Sequence, residues 1–403
     1  MVPIRIAGLI LCVWLFCQPR MLCAQQTADQ EPEAGISNTE PKTPYEEYQS
    51  LANQRQQNIR EINRLYANMP IGVVEAQSAQ RKKISLLVGR TRELEAEMLQ
   101  ASIRALKSDQ PVQPVLTRLV MNRIDRHLDG KDPEVPFDPT KAIELLQLVA
   151  KSNPSQPNLT SYLYYSNLLC NRFDEARKIL DQATSQGFAV PATTLPQLKA
   201  FETNWTKELE ARSSEMEKDD LPRVLMETDT GNIEIELFEN EAPNTVSNFI
   251  ALVESGFYNG LTFYRVEPSS FCQTGCPNGD GTGDAKYRIV SESRLPNARS
   301  HFAGSLSMVL DSDGTNSSQF LITRQPLSQL DGKNTVFGRV IEGMPTVYNL
   351  RNVRPGAGRS TPSPPSQILK ATVLRKRNHP YIPQKIGDNG GEPSREPGDN
   401  GSR

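Results

Sequence analysis

The feature that most constrains this chain is a change of hydrophobic period near Asp219-Asp220-Leu221-Pro222. Before it, apolar residues recur at three-and-four spacing, as amphipathic helices require; after it they alternate, as strands with one buried face require. Val224, Met226 and Thr228 alternate, Asp229-Thr230-Gly231-Asn232 can turn, and Ile233, Ile235 and Leu237 alternate again, which predicts a β-hairpin. A chain of 403 residues exceeds one ordinary core. The boundary divides it into an all-α helical domain over 44–215 and a β-rich domain over 221–375.

The two ends read differently. Arg5, an apolar run from Ile6 to Cys17 and the Leu22-Cys23-Ala24 sequence ahead of Gln25 make residues 1–24 a secretory signal peptide. The run is shorter than the roughly 20 residues that cross a bilayer, so the expectation is an exported, periplasmic protein, with tethering by an uncleaved leader as the alternative. Residues 25–43 are acidic and punctuated by proline, a disordered linker, and 376–403 are rich in glycine, proline and charge, a disordered tail with nothing to bury.

In the helical domain, Leu51, Ile59, Ile62 and Tyr66 form one stripe, and Ile84, Leu87, Thr91, Leu94 and Met98 form another after Pro70. Such stripes are buried in an antiparallel helix pair or a short coiled coil; an intramolecular hairpin and a dimerisation arm both fit. Asp138-Pro139 starts a further helix, with a capping carboxylate and proline in the first turn. Tyr162, Tyr165 and Leu169, the Asn171-Arg172 junction and the Phe173–Ala183 run resemble a degenerate tetratricopeptide-like repeat over 142–186. That resemblance implies a face for a protein partner, or simple scaffolding.

Composition excludes several functions. With 45 basic and 47 acidic residues the chain has no electrostatic footprint for nucleic acid. His127, His301 and His379 lie far apart with no cysteine or carboxylate at ligand spacing, so no metal is expected. Behind the leader, Cys170, Cys272 and Cys276 are too few for a disulfide framework. Bridging Cys272 to Cys276 requires a bend, because a strand separates such positions by about 13 Å; free thiols are expected. The chain holds no G-x-S-x-G elbow, and Gly279–Gly283 does not sit between a strand and a helix as dinucleotide binding requires, so no cofactor is expected.

After Pro243, Val246, Phe249, Ile250 and Val253 share one helical face. Short apolar segments follow at 261–266, 271–273, 305–309, 320–323, 335–340 and 366–374, with a second helix near Gly343 turning Met344, Val347 and Leu350 inward. Many short strands with two helices predict a barrel plugged at its ends. Single polar groups mark its apolar strands: Arg265 follows Phe263-Tyr264, Gln273 follows Phe271-Cys272, and Gln319 precedes Phe320-Leu321.

Seven stretches, in order, carry a resemblance: Gly231–Phe238, Ala242–Phe249, Phe263–Val266 with Cys272-Gln273, Gly281–Gly283, Gly304–Met308, Thr315–Phe320 and Leu330–Gly338. Across about 222–374 the sequence resembles the cyclophilin-type peptidyl-prolyl cis-trans isomerases. The resemblance implies an all-β, eight-stranded antiparallel barrel capped by two α-helices, acting on X-Pro bonds of extended or unfolded proline-containing polypeptides to assist their folding. It implies that Arg265 is catalytic, that Gln273 binds the substrate backbone and orients Arg265, that Phe271, Leu321 and Leu330 wall the proline pocket, and that Gln319 reaches the residue before the proline.

The departures from the family pattern fall in the same pocket. Ser270 replaces a phenylalanine beside the proline ring, Val309 an alanine, Leu310 an asparagine whose backbone pairs with the peptide, Gln329 a tryptophan or tyrosine, and Asn334 a histidine. A buried large apolar side chain contributes about 1.5 to 3 kcal/mol, so Phe for Ser alone weakens proline binding. Three functions follow: an isomerase, a proline-peptide-binding or chaperone-like module with little turnover, and a scaffold working through its N-terminal helices.

Overall fold

The structure, a computed structural model, describes residues 43–387 apart from 71, 73, 109–110, 133 and 352–363. The leader, residues 25–42 of the linker and the end of the tail lie outside the described residues.

The helical domain comprises α1 (Pro44–Ala67), α2 (Val74–Lys107), α3 (Pro114–Asp129), α4 (Pro139–Ser152), α5 (Leu159–Leu169), α6 (Phe173–Ser185) and α7 (Thr194–Lys218). Thr43 and Glu46 form a reciprocal capping box that starts α1, and the Asp138 carboxylate accepts from the Lys141 backbone N–H at 3.0 Å to start α4. The two apolar stripes meet within the chain, Leu51 of α1 against Leu94 and Met98 of α2, so the pair is an intramolecular hairpin. Helices α4 to α6 occupy the 142–186 stretch without any feature specific to a tetratricopeptide repeat.

Past the boundary come β1 (Arg223–Thr228), β2 (Gly231–Leu237), α8 (Pro243–Glu254), β3 (Arg265–Glu267), β4 (Phe271–Thr274), β5 (Ile289–Val290), β6 (Ser305–Met308), β7 (Thr315–Asn316), β8 (Phe320–Thr323), β9 (Val336–Glu342), α9 (Met344–Asn349) and β10 (Ile368–Arg375). The expected hairpin is β1–β2, paired antiparallel from Arg223–Glu236 to Thr228–Gly231. Helix α8 buries Val246, Phe249, Ile250 and Val253, and α9 with its flank buries Val347 and Leu350, all in one core with Ile235, Phe320 and Phe337.

The closed barrel is not what forms. Eight strands run in the order β10-β1-β2-β9-β6-β8-β4-β3, and β10 and β3 are the two edges of one sheet. That sheet curls through 204° and leaves its edges 13 Å apart, an open half-barrel. Closing a barrel needs a full ladder between its first and last strands, and here, among the described residues, a single bridge, Thr262–Gln367, forms before β3 begins three residues later. Buried Tyr258, Phe263 and Ile368 belong to the core beside the gap.

The first part of the tail has more to bury than its composition implies. Tyr381 is only 7% exposed and joins the sheet core, its hydroxyl donates to Glu239 Oε2 at 2.7 Å, and His379 Nε2 meets Glu239 Oε1 at 2.5 Å. Asn244 and the Gln384 backbone exchange two hydrogen bonds further on. Tyr381 with its buried carboxylate partner, together with the Asn244–Gln384 bonds, ties down residues that glycine and proline statistics assign to disorder. Residues 388–403 lie outside the described residues.

Candidate functional site

Strand register builds the site. Arg265 pairs with Gln273, Gln273 with Leu321, and Leu321 with Ser307, so one row of side chains crosses β3, β4, β8 and β6. Successive residues of a strand face opposite sides. Because Val266, Cys272, Ile322 and Leu306 point into the core, Arg265, Gln273, Leu321 and Ser307 share the outer face. Adjacent strands lie about 4.8 Å apart, which puts Arg265 roughly 10 Å from Leu321 with Gln273 between them.

Beside this row lies an apolar patch separate from the main core: Phe271, Leu321 and Leu327, all buried, with Leu330 packed against them. Three of the expected pocket residues are thus brought together. Leu327 was not foreseen; its signal is the three-residue spacing from Leu330, which sits on a 3-10 turn over Ser328–Leu330. Ser270 stands at the rim, in the β3–β4 turn, and Gln329 is exposed on the 3-10 turn.

Arg265 is half-buried. Its Nε donates to Glu267 Oε1 at 3.3 Å, and its guanidinium lies 5.0 Å from the Phe271 ring centre, within the range of a cation–π contact. Among the described residues it makes no hydrogen bond to Gln273, contrary to the expectation that Gln273 orients it. The Gln273 amide is engaged elsewhere, donating to the Tyr264 hydroxyl and, at 3.4 Å, to Gln319 Oε1. Tyr264 in turn donates to Gln319 Oε1, and burial pushes the Tyr264 pKa up, which keeps that hydroxyl a donor. Gln319 Nε2 completes the chain on the carbonyls of Gly281 at 3.0 Å and Gly283 at 2.8 Å. Gly281 has φ +91°, a conformation that favours glycine, and a Cβ there would crowd the Tyr264 ring at 3.1 Å. Tyr264 is a second residue that sequence reasoning missed.

At the other end, Val309 N donates to Gln319 O at 3.0 Å and Leu310 is exposed. Asn334 Nδ2 donates to Met308 O at 2.8 Å, next to Val309, so this substitution spends its amide on the protein's own backbone. Cys272 is a free thiol in the core, where burial raises its pKa; Cys276 is free as well.

Two buried polar groups support the site from behind. Arg324 is fully buried and donates to Pro268 O at 2.8 Å, Val347 O at 2.9 Å and Leu350 O at 2.9 Å. Its cation complements the C-terminal end of α9 while tying that helix to the turn that carries Ser270. His301, 1% exposed, meets Asp331 Oδ1 through Nδ1 at 2.7 Å and Ser307 Oγ through Nε2 at 2.8 Å. An ionised carboxylate only accepts, so Nδ1 carries the proton of that bond.

Peptidyl-prolyl cis-trans isomerases of the cyclophilin type share this pattern of sequence over the sheet domain, and the chain belongs to that family. Residues 223–373 match the family described as cyclophilin type peptidyl-prolyl cis-trans isomerase/CLD. A peptidyl-prolyl cis-trans isomerase of Synechococcus elongatus is 44% identical over 134 residues, 33% of this chain and 90% of the relative. Peptidyl-prolyl cis-trans isomerase B of Bacillus subtilis is 45% identical over 124 residues, 31% of this chain and 86% of its own length. The isomerase ppi1 of Schizosaccharomyces pombe is 38% identical over 156 residues, 38% of this chain and all of the relative. All three alignments leave most of this chain uncovered.

Proposed function

We propose that the sheet domain catalyses cis-trans isomerisation of X-Pro bonds in exported polypeptides, with Arg265 as its catalytic residue. Resonance sets a barrier of roughly 18 to 20 kcal/mol to peptide rotation, and no covalent step is needed to lower it. As the bond twists, the proline nitrogen loses resonance and gains a usable lone pair. A guanidinium donor beside that nitrogen binds the twisted state more tightly than either planar one, which is what catalysis requires. The carrying observation is the row that sets Arg265 and Gln273 beside the pocket of Phe271, Leu321, Leu327 and Leu330. In that reading the proline ring enters the pocket, Gln273 exchanges its bond to Tyr264 for the peptide backbone, and Gln319 lies toward the preceding residue, near Val309 and Leu310. Ser270, Gln329 and Asn334 border the bound peptide without the large rings of other members. Export rests on the leader, and a partner role for the helices rests on the hairpin pattern of 142–186.

The test is protease-free exchange NMR on an Ala-Pro peptide with the full chain. Wild type is expected to accelerate exchange, and Arg265→Ala to lower that rate by about a hundredfold or more. Equal acceleration in both would remove Arg265 from the mechanism. Glu267, which holds Arg265 in the free site, and Ser270, which gives the proline ring little contact, favour one second reading: a proline-peptide receptor with little turnover. Peptide binding without acceleration in wild type would select it.

A further inference from the structure

The helical domain reaches the two segments that shape the proline pocket. Asn171, in the α5–α6 junction, accepts from Ala303 N at 2.9 Å and donates to Ala303 O at 3.1 Å, as a strand neighbour would. The adjacent Phe302 inserts between α6 and α7, its ring centre 4.7 Å from Trp205 and 6.0 Å from Phe173. Arg299, four residues before Ala303, is held by Glu208 at 2.9 Å and Glu215 at 2.7 Å on α7. Between these grips lies His301. Its N–H donates to Asp331, its carbonyl accepts from Leu327 N at 2.9 Å, and its ring meets Ser307. On the other side of the pocket, Gly130 at the end of α3 stands so close to the β3–β4 turn that a Cβ there would meet Pro268 Cβ at 3.0 Å.

We propose that the helical domain is a positioning element of the isomerase site: Asn171, acting through Ala303 and His301, sets the Leu327–Leu330 wall against which the substrate proline packs. This rests on the site assigned above, but it concerns the wall and not Arg265. A wall that loses its support still lets Arg265 act on a bound peptide, so the effect falls on binding and leaves turnover in place.

The experiment uses the full chain with the tetrapeptide Ala-Ala-Pro-Phe, read by exchange NMR as KM and kcat and by methyl spectra of Leu327 and Leu330. Asn171 has φ 59°, so Asn171→Gly keeps the backbone conformation while removing both bonds. Asn171→Asp keeps the acceptor for Ala303 N and loses only the donor. Asn171→Gly is expected to raise KM by about threefold to tenfold with kcat within about twofold, to shift the two leucine methyls, and to be partly rescued in Asn171→Asp. An unchanged KM, or KM and kcat altered only in proportion to an unfolded fraction seen by circular dichroism, overturns the proposal. Should wild type bind the peptide without accelerating exchange, the isomerase reading fails while the Kd from the same titration still decides this one by the same thresholds.

Discussion

The sheet domain and the helical domain bury their apolar residues in different ways. The sheet domain has one continuous core, from Val224 to Tyr381, built from its own residues and its own tail. The helical domain has several smaller clusters, and two of them are completed by the sheet domain: Tyr348 joins Leu106, Ile124 and Phe137, and Phe302 joins Leu168, Phe173 and Leu198. Between the domains runs a buried ionic seam in which Arg299 and Arg339 lie over the Phe238 ring and meet Glu208, Glu215 and Glu236. Burial alone would lower the Arg299 pKa, but Glu208 and Glu215 outweigh it and hold it above the ordinary arginine value. The helices thus need sheet residues to complete two of their cores, while the sheet's main core is its own and the helices supply carboxylates to its buried arginines.

The largest break in that asymmetry should come from Phe302→Ala. Removing a ring packed against Phe173 and Trp205 should cost about 3 to 5 kcal/mol, and the loss should fall on the helices, so Trp205 fluorescence should report unfolding at lower denaturant than a probe in the sheet core. Coincident transitions would contradict the claim that the sheet's core is self-sufficient. Next, Arg324→Met would leave the carbonyls of Pro268, Val347 and Leu350 without this donor in the interior, a loss of about 3 kcal/mol in chemical denaturation. Here both domains should shift together, because the bonds lie within the sheet half. A smaller gain is expected from Ser270→Phe, which should tighten proline-peptide binding by about tenfold in an NMR titration, the equivalent of one well-buried apolar side chain. No tightening would show that the ring does not reach the proline.

The most gradual effect is on the ionic seam. Burial pushes the Glu208 carboxyl up, yet Arg299 and Arg212 outweigh it and hold it below the ordinary glutamate value. A depressed carboxylate contributes stability that is present above its unfolded pKa, about 4.3, and is lost as pH falls through the folded value. Docking of α7 should therefore hold at neutral pH and weaken below about pH 4, seen as a change in Trp205 fluorescence. Arg299→Met removes the leading opposing charge, so the same change should move toward neutral pH.

The two domains also differ in how much of each was legible. Alternation in 224–237 marked the hairpin, and the short apolar segments placed Arg265, Gln273 and Leu321 on strands, without saying that β3, β4 and β8 are neighbours. Closure was not legible, because whether edge strands meet depends on pairing such as the Thr262–Gln367 bridge and not on any strand's own pattern. Leu327, Tyr264 and Arg324 were missed because their roles come from what folds onto them: an apolar residue, a strand-end aromatic and a surface-type cation look ordinary until the chain brings Leu330, Gln319 and the end of α9 beside them. In the helical domain the helices were readable from their stripes, but the docking of Asn171 and Phe302 was not, since Phe302 carries no periodic neighbour to mark which side it buries.

On the function proposed above, Arg265 makes the sheet domain a folding catalyst. The direct measurement is the slow refolding phase of a protein limited by an X-Pro bond, which lasts tens to hundreds of seconds unaided, followed with substoichiometric full-length chain. The slow rate should rise in proportion to wild-type concentration and be unchanged by Arg265→Ala. A slow phase unmoved by wild type, or shortened equally by the variant, would contradict it.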